Sequence, residues 1–232
     1  MIKPLYLLAD SQLLFWKDGN RLFLERIREQ LDSSNPTAAY IGASNGDNPE
    51  FYSIFQAAMA GIDLHSCCLI PSSPSEKDKA FLASANLVLL AGGDVEHGWK
   101  VFEQNGFKDL IAKKRYDGAV LVGISAGAAQ MGRGTLLQAS TMKELPLFQF
   151  APFYVGTHQE QSEWWDLRAL VNLAGNGAQG IGIPAGGGLI YTSEGLLEPV
   201  RKGLVEFLRH EDRLIENLYL PETASQQQRT SG

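Results

Sequence analysis

Short apolar runs that alternate with helix-like segments constrain the fold of this chain more than any other feature of its sequence. Each run is apolar at nearly every position rather than at every second one, which is typical of strands buried on both faces of a parallel sheet. The runs occupy residues 5–9, 38–41, 67–70, 87–91, 119–124, 179–183 and 189–192. They predict an α/β fold, a three-layer sandwich with a mostly parallel sheet between helices.

The segments between these runs repeat apolar residues at the spacing of one helix face. Asn48 and Pro49 are typical of an N-cap and a first helical residue, and Gly106 separates two consecutive helical segments. The expected helices cover residues 20–31, a segment from 49 onward, a short one opening at 75–78, 95–105, 107–116 and one from 164 to the glycine at 175. Residues 196–200 and 203–208 favour strands at an antiparallel edge.

The chain shows no repeat, no linker and no shift in composition along its 232 residues. We therefore expect one α/β domain over residues 1–222, followed by a polar C-terminal tail over 223–232. A chain of this length can bury one substantial core without a metal or a disulfide. Cys67 and Cys68 are adjacent, so they are poorly placed for a disulfide or a zinc site. We predict no metal and no cofactor.

Charge and hydropathy argue against two classes of partner. The net charge is −6 and the sequence has no basic run, so a nucleic-acid partner is not expected. No apolar stretch approaches the roughly 20 residues that span a bilayer, so no membrane partner is expected. The first residues reach Asp10 too soon for a secretory signal, which favours a cytoplasmic protein.

Residues 119–129 carry the most chemical information in the sequence. An apolar strand runs into Gly-Ile-Ser-Ala-Gly at 123–127, and small helix-forming residues follow. This order matches the strand, sharp turn and helix of a G-x-S-x-G nucleophile elbow. Such a turn would lift the Ser125 hydroxyl above the carboxyl edge of the sheet, beside the free N–H groups that begin a helix. We predict that Ser125 is a nucleophile; the alternative is a glycine-rich turn with an incidental serine.

A nucleophilic serine needs a base, and the chain has four histidines. His65 falls near an expected strand, and His210 lies among charged residues typical of an exposed turn. His97 follows a strand-to-loop junction at the same sheet edge as Ser125. His158 stands between a short apolar run and a tryptophan-rich helix. The residues alone leave His97 and His158 as equal candidates for the base.

Four motifs in a fixed order suggest a family. They are Leu-Leu-Ala-Gly-Gly-Asp at 89–94, Gly-Ile-Ser-Ala-Gly-Ala at 123–128, the isolated histidine at 158 and the glycine-rich segment 180–188. This series resembles the serine peptidase family of dipeptidase E (aspartyl dipeptidase) and cyanophycinase, over roughly residues 3–192. The resemblance implies a class I glutamine-amidotransferase-like fold, with Ser125 as nucleophile and His158 as base. It also implies an oxyanion hole formed by the backbone N–H groups of Gly93 and Ala126.

The chain departs from the family at the residue that orients the histidine. The matching family strand ends in a glutamate, and Pro184 and Ala185 stand at those positions here. A histidine without its carboxylate loses control of its tautomer and stabilisation of its charged form. The candidate substitute acids are the nearby Glu160, Glu163 and Asp166, together with Glu194 at the end of a later strand.

A second departure concerns the substrate. Family members that select an aspartyl residue carry arginines near the histidine, because a guanidinium matches a carboxylate. The residues that follow His158 here are acidic and aromatic, which favours a cationic or aromatic group over an acidic one. We expect Asp94, His97 and Trp164 to contribute to the substrate pocket.

The favoured interpretation is a serine-type peptidase that hydrolyses small peptides, with a homodimer as a candidate assembly. One alternative is a catalytically weak or inactive homologue that keeps the pocket to bind a ligand or partner. Another is an α/β-hydrolase esterase, in which His210 would be the base and Glu194 the acid. A nucleotide-binding role is disfavoured, because neither a G-x-G-x-x-G motif after the first strand nor a P-loop is present.

Overall fold

The computed structural model describes residues 1–137 and 143–221, so the expected tail at 223–232 lies outside the described residues. The strands are β1 (Leu5–Leu8), β2 (Lys17–Asp18), β3 (Arg21–Leu22), β4 (Thr37–Ile41), β5 (Ser66–Ile70), β6 (Leu87–Leu90), β7 (Val120–Ile124), β8 (Gly134–Leu136), β9 (Glu144–Pro146), β10 (Tyr154–Thr157), β11 (Gln179–Ile183), β12 (Gly188–Tyr191), β13 (Leu197–Val200), β14 (Leu204–His210) and β15 (Arg213–Tyr219). The helices are α1 (Phe23–Arg28), α2 (Pro49–Ala60), α3 (Glu76–Ser84), α4 (Val95–Asn105), α5 (Phe107–Tyr116), α6 (Ala126–Met131) and α7 (Trp165–Ala174). Short 3-10 turns cover Ser11–Phe15, Ala43–Asn45 and Glu160–Ser162.

The central sheet has seven strands in the order β13-β12-β1-β7-β6-β4-β5. Neighbours from β1 to β5 in this order are parallel, whereas β12 runs antiparallel to β1 and β13 antiparallel to β12. The predicted mostly parallel α/β sandwich is therefore confirmed. Because parallel strands end at one edge, the loops that follow β1, β4, β6 and β7 meet there.

Each face of this sheet packs against its own set of helices, which explains why its inner strands are apolar at nearly every position. Leu5 and Leu7 of β1 belong to a core that includes residues of α3, α4, α5 and α6. Tyr6 and Leu8 point to the opposite face and pack with residues of α1 and α2. Successive side chains of a strand face opposite sides, so a strand covered on both faces is apolar throughout.

A second sheet, in the order β10-β11-β14-β15, departs from the sequence-based expectation. The apolar run at 179–183 was expected in the central sheet, but β11 pairs in parallel with β10 and antiparallel with β14. Helix α7 covers one face of this second sheet through Leu167, Leu170 and Val171. A buried apolar strand has the same sequence pattern in either sheet, so the pattern does not determine which strands β11 pairs with.

Most expected helices are confirmed, including the pair α4 and α5 on either side of Gly106, whose φ is +72°. The Asn48 side chain accepts the N–H of Glu50 and caps α2, as predicted. The first helix is shorter than expected, because β2 and β3 form a hairpin within residues 17–22. Gly19, with a φ of +60°, supplies the left-handed residue that a two-residue hairpin turn needs.

Strand β5 is an edge strand, and this leaves Cys67 and Cys68 half-buried with free thiols. Burial, followed by the neighbouring Cys68, raises the pKa of the Cys67 thiol to about 11. Both thiols are therefore protonated at neutral pH. None of the helices in the described ranges is long and apolar enough to cross a membrane.

Candidate active site

Ser125 lies at the sharp turn between β7 and α6, at the carboxyl edge of the central sheet. Its backbone has φ +50° and ψ −108°, a conformation that L residues rarely adopt. The Ser125 N–H donates to the carbonyl of Leu8 at 2.8 Å, which extends the pairing of β7 with β1 through the turn. The strand, the sharp turn at Ser125 and the helix that follows it occur in the order expected from the sequence.

The glycines on both sides of Ser125 permit this turn because there is no space for a side chain. A Cβ on Gly123 would lie 2.5 Å from the carbonyl oxygen of Gly127. A Cβ on Gly127 would lie 2.1 Å from the carbonyl oxygen of Leu90 in β6. Helix α6 therefore packs directly against the backbone of β6 and β7, which fixes the position of the serine.

His158 follows β10 in the second sheet and points its ring at Ser125. Its Nε2 lies 2.7 Å from the Ser125 Oγ, although the two residues are 33 positions apart in the chain. The His158 backbone has a φ of +44°, and its N–H donates to the carbonyl of Ile183 at 3.0 Å. The end of β11 therefore anchors the loop that presents the imidazole.

The structure brings His158 to Ser125 and places the other three histidines elsewhere. His97 is exposed in the first turn of α4, where its backbone N–H donates to the Asp94 carboxylate at 2.8 Å. His65 is exposed just before β5. His210 ends β14, which runs antiparallel to β11, so it lies beyond the Gln179 end of that strand and far from Ile183. Within residues 1–137 and 143–221, the Ser125 hydroxyl pairs with His158 and not with His210, the base that the esterase alternative needs.

The loop after β6 passes beside the serine and brings Gly93 to the site. A Cβ on Gly92 would lie 3.3 Å from the Ser125 Cβ. Gly93 has a φ of +136°, and a Cβ there would lie 2.0 Å from the carbonyl oxygen of Ser44. In the described ranges, no hydrogen bond engages the backbone N–H of Gly93 or of Ala126. Neither N–H group therefore has a partner within the described part of the chain.

A buried polar bridge that sequence reasoning missed supports this loop. Gln130 of α6 is fully buried, and its Nε2 donates to the Ser44 Oγ at 3.0 Å and to the Val95 carbonyl at 3.1 Å. The Ser44 carbonyl in turn accepts the Asp94 N–H at 2.7 Å. The bridge ties the helix behind the serine to the loop that carries Gly93. The one signal in the sequence was a lone amide within an otherwise small and apolar helix.

The candidate substitute acids lie in different places. Glu160 is exposed in the turn after His158, and its Oε1 accepts the backbone N–H of Ala185 at 2.6 Å. Glu163 is exposed one turn further on. Strand β12 begins at the edge of the sheet that holds the site and ends at the opposite edge. Glu194 follows it there, and its carboxylate accepts a hydrogen bond from the Ser193 hydroxyl. Among the described residues, Ser125 is the one hydrogen-bond partner of the His158 ring.

Two cavities open on either side of the Ser125–His158 pair. The smaller has a volume of about 240 Å³ and is formed by the β1 and β6 loops and by α2. The larger has a volume of about 540 Å³ and lies between α6, β10 and the start of α7. Ser125, His158 and Gly93 line both cavities.

The expected pocket residues do not line either cavity. Asp94 and His97 are exposed at the start of α4, where Asp94 is the N-cap. Trp164 is only 7% exposed and packs on β11, where a Cβ on Gly182 would lie 2.7 Å from the indole. The neighbouring Trp165 and Asp166 line the larger cavity instead. No cluster of three metal-ligating side chains occurs in the described part of the chain.

An α/β sandwich with a serine and a histidine paired at the carboxyl edge of its sheet is the arrangement of an α/β hydrolytic enzyme. The chain belongs to peptidase family S51, whose family model matches residues 5–198. The predicted resemblance to the dipeptidase E and cyanophycinase family is thereby confirmed. No curated protein matches the chain.

Solved structures share the fold over nearly the whole chain. A peptidase from an acI-B1 Actinobacterium is 13% identical, with a TM-score of 0.67 over 96% of each chain. A "Putative Peptidase E Protein" from Listeria monocytogenes EGD-e is also 13% identical, with a TM-score of 0.63 over 87% of this chain and 99% of its own. At this level of identity, these structures establish the fold alone.

Proposed function

We propose that this member of peptidase family S51 is a serine peptidase that hydrolyses small peptides, with Ser125 as nucleophile and His158 as general base. The observation that carries the proposal is the 2.7 Å contact between the Ser125 Oγ and the His158 Nε2. A nucleophile and its base need this distance for proton transfer. The strained backbone of Ser125 further supports a functional role, because such strain concentrates at active sites.

In the proposed reaction, the Ser125 Oγ attacks the carbonyl carbon of the peptide while His158 Nε2 takes its proton. The tetrahedral intermediate carries an oxyanion that accepts hydrogen bonds from the N–H groups of Gly93 and Ala126. His158 then gives the proton to the leaving amine, and an acyl-enzyme forms. Water attacks this ester by the same steps, releasing the acid and restoring the Ser125 hydroxyl.

Backbone contacts provide an orientation for His158 in place of the usual glutamate. Its N–H is bonded to the Ile183 carbonyl, and the Glu160 carboxylate ties the following turn to Ala185. We propose that Glu160 positions the imidazole through this loop contact rather than by direct pairing with its ring. The cavities of about 240 and 540 Å³ suit the side chains of a short peptide rather than a folded protein.

A specific observation also favours a second candidate, a homologue that keeps the pocket but turns over weakly or not at all. In the described ranges, no carboxylate is hydrogen-bonded to the His158 ring. Loss of a correctly placed acid lowers the rate of a serine triad by about 10⁴. A protein of this kind would use the same two cavities to bind a ligand.

The test is covalent labelling with a fluorophosphonate, which reacts with an activated serine. The wild-type protein should be labelled, and Ser125→Ala should abolish the label. His158→Ala should slow labelling by at least about 100-fold, the usual contribution of a general base. His65→Ala is the matched control, because His65 is exposed and lies away from the site, and it should label at the wild-type rate.

Other outcomes would separate the candidates. Labelling of Ser125→Ala at the wild-type rate would overturn the nucleophile. Loss of labelling in His97→Ala but not in His158→Ala would transfer the role of base to His97. A wild-type protein that resists the reagent and leaves a panel of dipeptides intact would favour the binding homologue.

A further inference from the structure

The smaller cavity has an apolar wall that neither the mechanism nor the family match assigns to a ligand. Phe51, Ile54 and Phe55 of α2 line it together with Leu14 and Ile124. Phe55 is buried in the core, whereas Phe51 is 48% exposed and Ile54 is half-buried. Exposed apolar surface on a cavity that contains the candidate nucleophile is typical of a subsite for an apolar group.

The side chains of Asp10, Tyr40 and Asn45 in this cavity already make hydrogen bonds within the protein. The Asp10 carboxylate accepts the N–H of Gln12 at 2.9 Å and that of Gly186 at 2.6 Å. The Tyr40 hydroxyl accepts a hydrogen bond from the Asn45 amide at 3.1 Å. Burial raises the pKa of Tyr40, so its phenol is uncharged at neutral pH. A polar side chain of a ligand would therefore lose its water and find these three side chains already engaged.

The charges of the residues that line the two cavities also disfavour an acidic group of the substrate. Among the described residues that line the two cavities, none is a lysine or an arginine, and each cavity contains a carboxylate, Asp10 in the smaller and Asp166 in the larger. A carboxylate of a substrate would meet like charge without a guanidinium to pair with it. The volume of about 240 Å³ is ample for a phenyl ring, since a cavity of about 150 Å³ admits benzene.

We propose that the cavity beneath Phe51 and Ile54 binds an uncharged apolar side chain, aliphatic or aromatic, of the residue next to the scissile bond. This inference rests on the proposed function for its chemistry, since the bond is the one that Ser125 attacks. The sequence favours a cationic or aromatic group bound near residues 160–165. The proposed subsite lies on α2 instead, and it disfavours an acidic residue in the substrate position that it binds.

Binding is measured first, so that recognition is separated from turnover. Calorimetry with the Ser125→Ala protein compares dipeptides that carry Leu, Phe, Lys or Asp at the first position, then at the second, with alanine as the other residue. In one of the two series, the Leu and Phe peptides should bind about 10- to 100-fold more tightly than the Asp and Lys peptides. If the wild type hydrolyses them, kcat/KM should show the same order.

Variants of α2 locate the subsite. Ile54→Arg, made in the Ser125→Ala protein, places a cation in the cavity. Its affinity for the Leu peptide should fall at least tenfold, and its affinity for the Asp peptide should rise above that of the Ser125→Ala parent. Gln56→Arg is the matched control, because Gln56 is exposed on the same helix and lies about 200° around its axis from Ile54, and its preferences should be unchanged. Phe51→Ala trims an exposed ring at the cavity mouth and should weaken the Phe peptide several-fold in a protein that still folds.

Two results would overturn the inference. One is equal or tighter binding of the Asp peptides in both series. The other is an apolar preference that survives both Ile54→Arg and Phe51→Ala, which would place the subsite elsewhere. Fluorophosphonate labelling of the wild type is scored separately. A labelled protein without apolar preference refutes the subsite alone, and an unlabelled protein that still prefers apolar peptides refutes the nucleophile alone.

Discussion

Ser125 shows how a single residue is held in an unfavourable conformation by its neighbours. A backbone with φ +50° and ψ −108° costs about 1–3 kcal/mol and persists only where packing determines it. Here the packing is that of Gly127 against Leu90, together with the hydrogen bond from Ser125 to Leu8. The position of the hydroxyl therefore depends on the absence of a side chain two residues away.

Gly127→Ala tests this dependence. The new Cβ would lie 2.1 Å from the Leu90 carbonyl oxygen, so α6 must move away from β6. We expect the free energy of unfolding, measured in urea, to fall by about 3 kcal/mol, and the fluorophosphonate labelling rate to fall with it. Gly46→Ala is the control: φ there is +68° and nothing lies within 4 Å, so it should cost about 1 kcal/mol and label normally. Wild-type stability of Gly127→Ala would contradict the packing argument.

At the scale of elements, the site exists because two sheets meet. The proposed nucleophile, Ser125, follows β7 of the central sheet, and its partner His158 follows β10 of the second sheet. The ends of β10 and β11 pair beside the loop of His158, and the Glu160–Ala185 hydrogen bond lies just beyond them. In the proposed mechanism, this connection between two loops gives the imidazole the orientation that a triad glutamate would otherwise provide.

Glu160→Ala should release the turn that carries His158. We expect kcat, or the labelling rate if no substrate is known, to fall about 10- to 100-fold, because a displacement near 1 Å is enough for such a loss. Glu160→Gln keeps a carbonyl oxygen that accepts the Ala185 N–H and should recover most of the rate. Glu163→Ala, one turn away and exposed, should stay within twofold of wild type. Equal losses in Glu160→Gln and Glu160→Ala would instead indicate that the negative charge acts on the imidazole.

The whole molecule is built as one packing unit despite its two sheets. Val155, Ile181 and Ile183 of the second sheet belong to the same core cluster as Leu5 and Leu7 of the central sheet. A shared core couples the stability of the two sheets, because neither can open without exposing apolar surface of the other. The Ser125–His158 distance is therefore a property of the folded unit rather than of either sheet.

Unfolding should accordingly show one cooperative transition. Trp99 lies in the shared core and Trp164 lies between α7 and the second sheet, so removing one or the other of the four tryptophans changes which region contributes most to the fluorescence. In urea, the transitions of Trp99→Phe and Trp164→Phe, each followed by fluorescence and by circular dichroism, should coincide within each variant. Two separated transitions would show that the second sheet unfolds independently.

The sequence by itself determined the features that depend on residues close together in the chain. Apolar strands predicted a sheet covered on both faces, Asn48 predicted the start of α2, and the glycines around Ser125 predicted a sharp turn between a strand and a helix. Each of these is decided by local sterics and hydrogen bonds, which neighbouring residues carry.

Tertiary structure decided what depends on pairing at a distance. It placed β11 in a second sheet, brought His158 rather than His97 to the serine, and joined Glu160 to Ala185. It also assembled the apolar cavity from segments of β1, α2, β6 and β7. Such pairings depend on summed burial and hydrogen bonding between strands that look alike in sequence, so only the folded chain determines them.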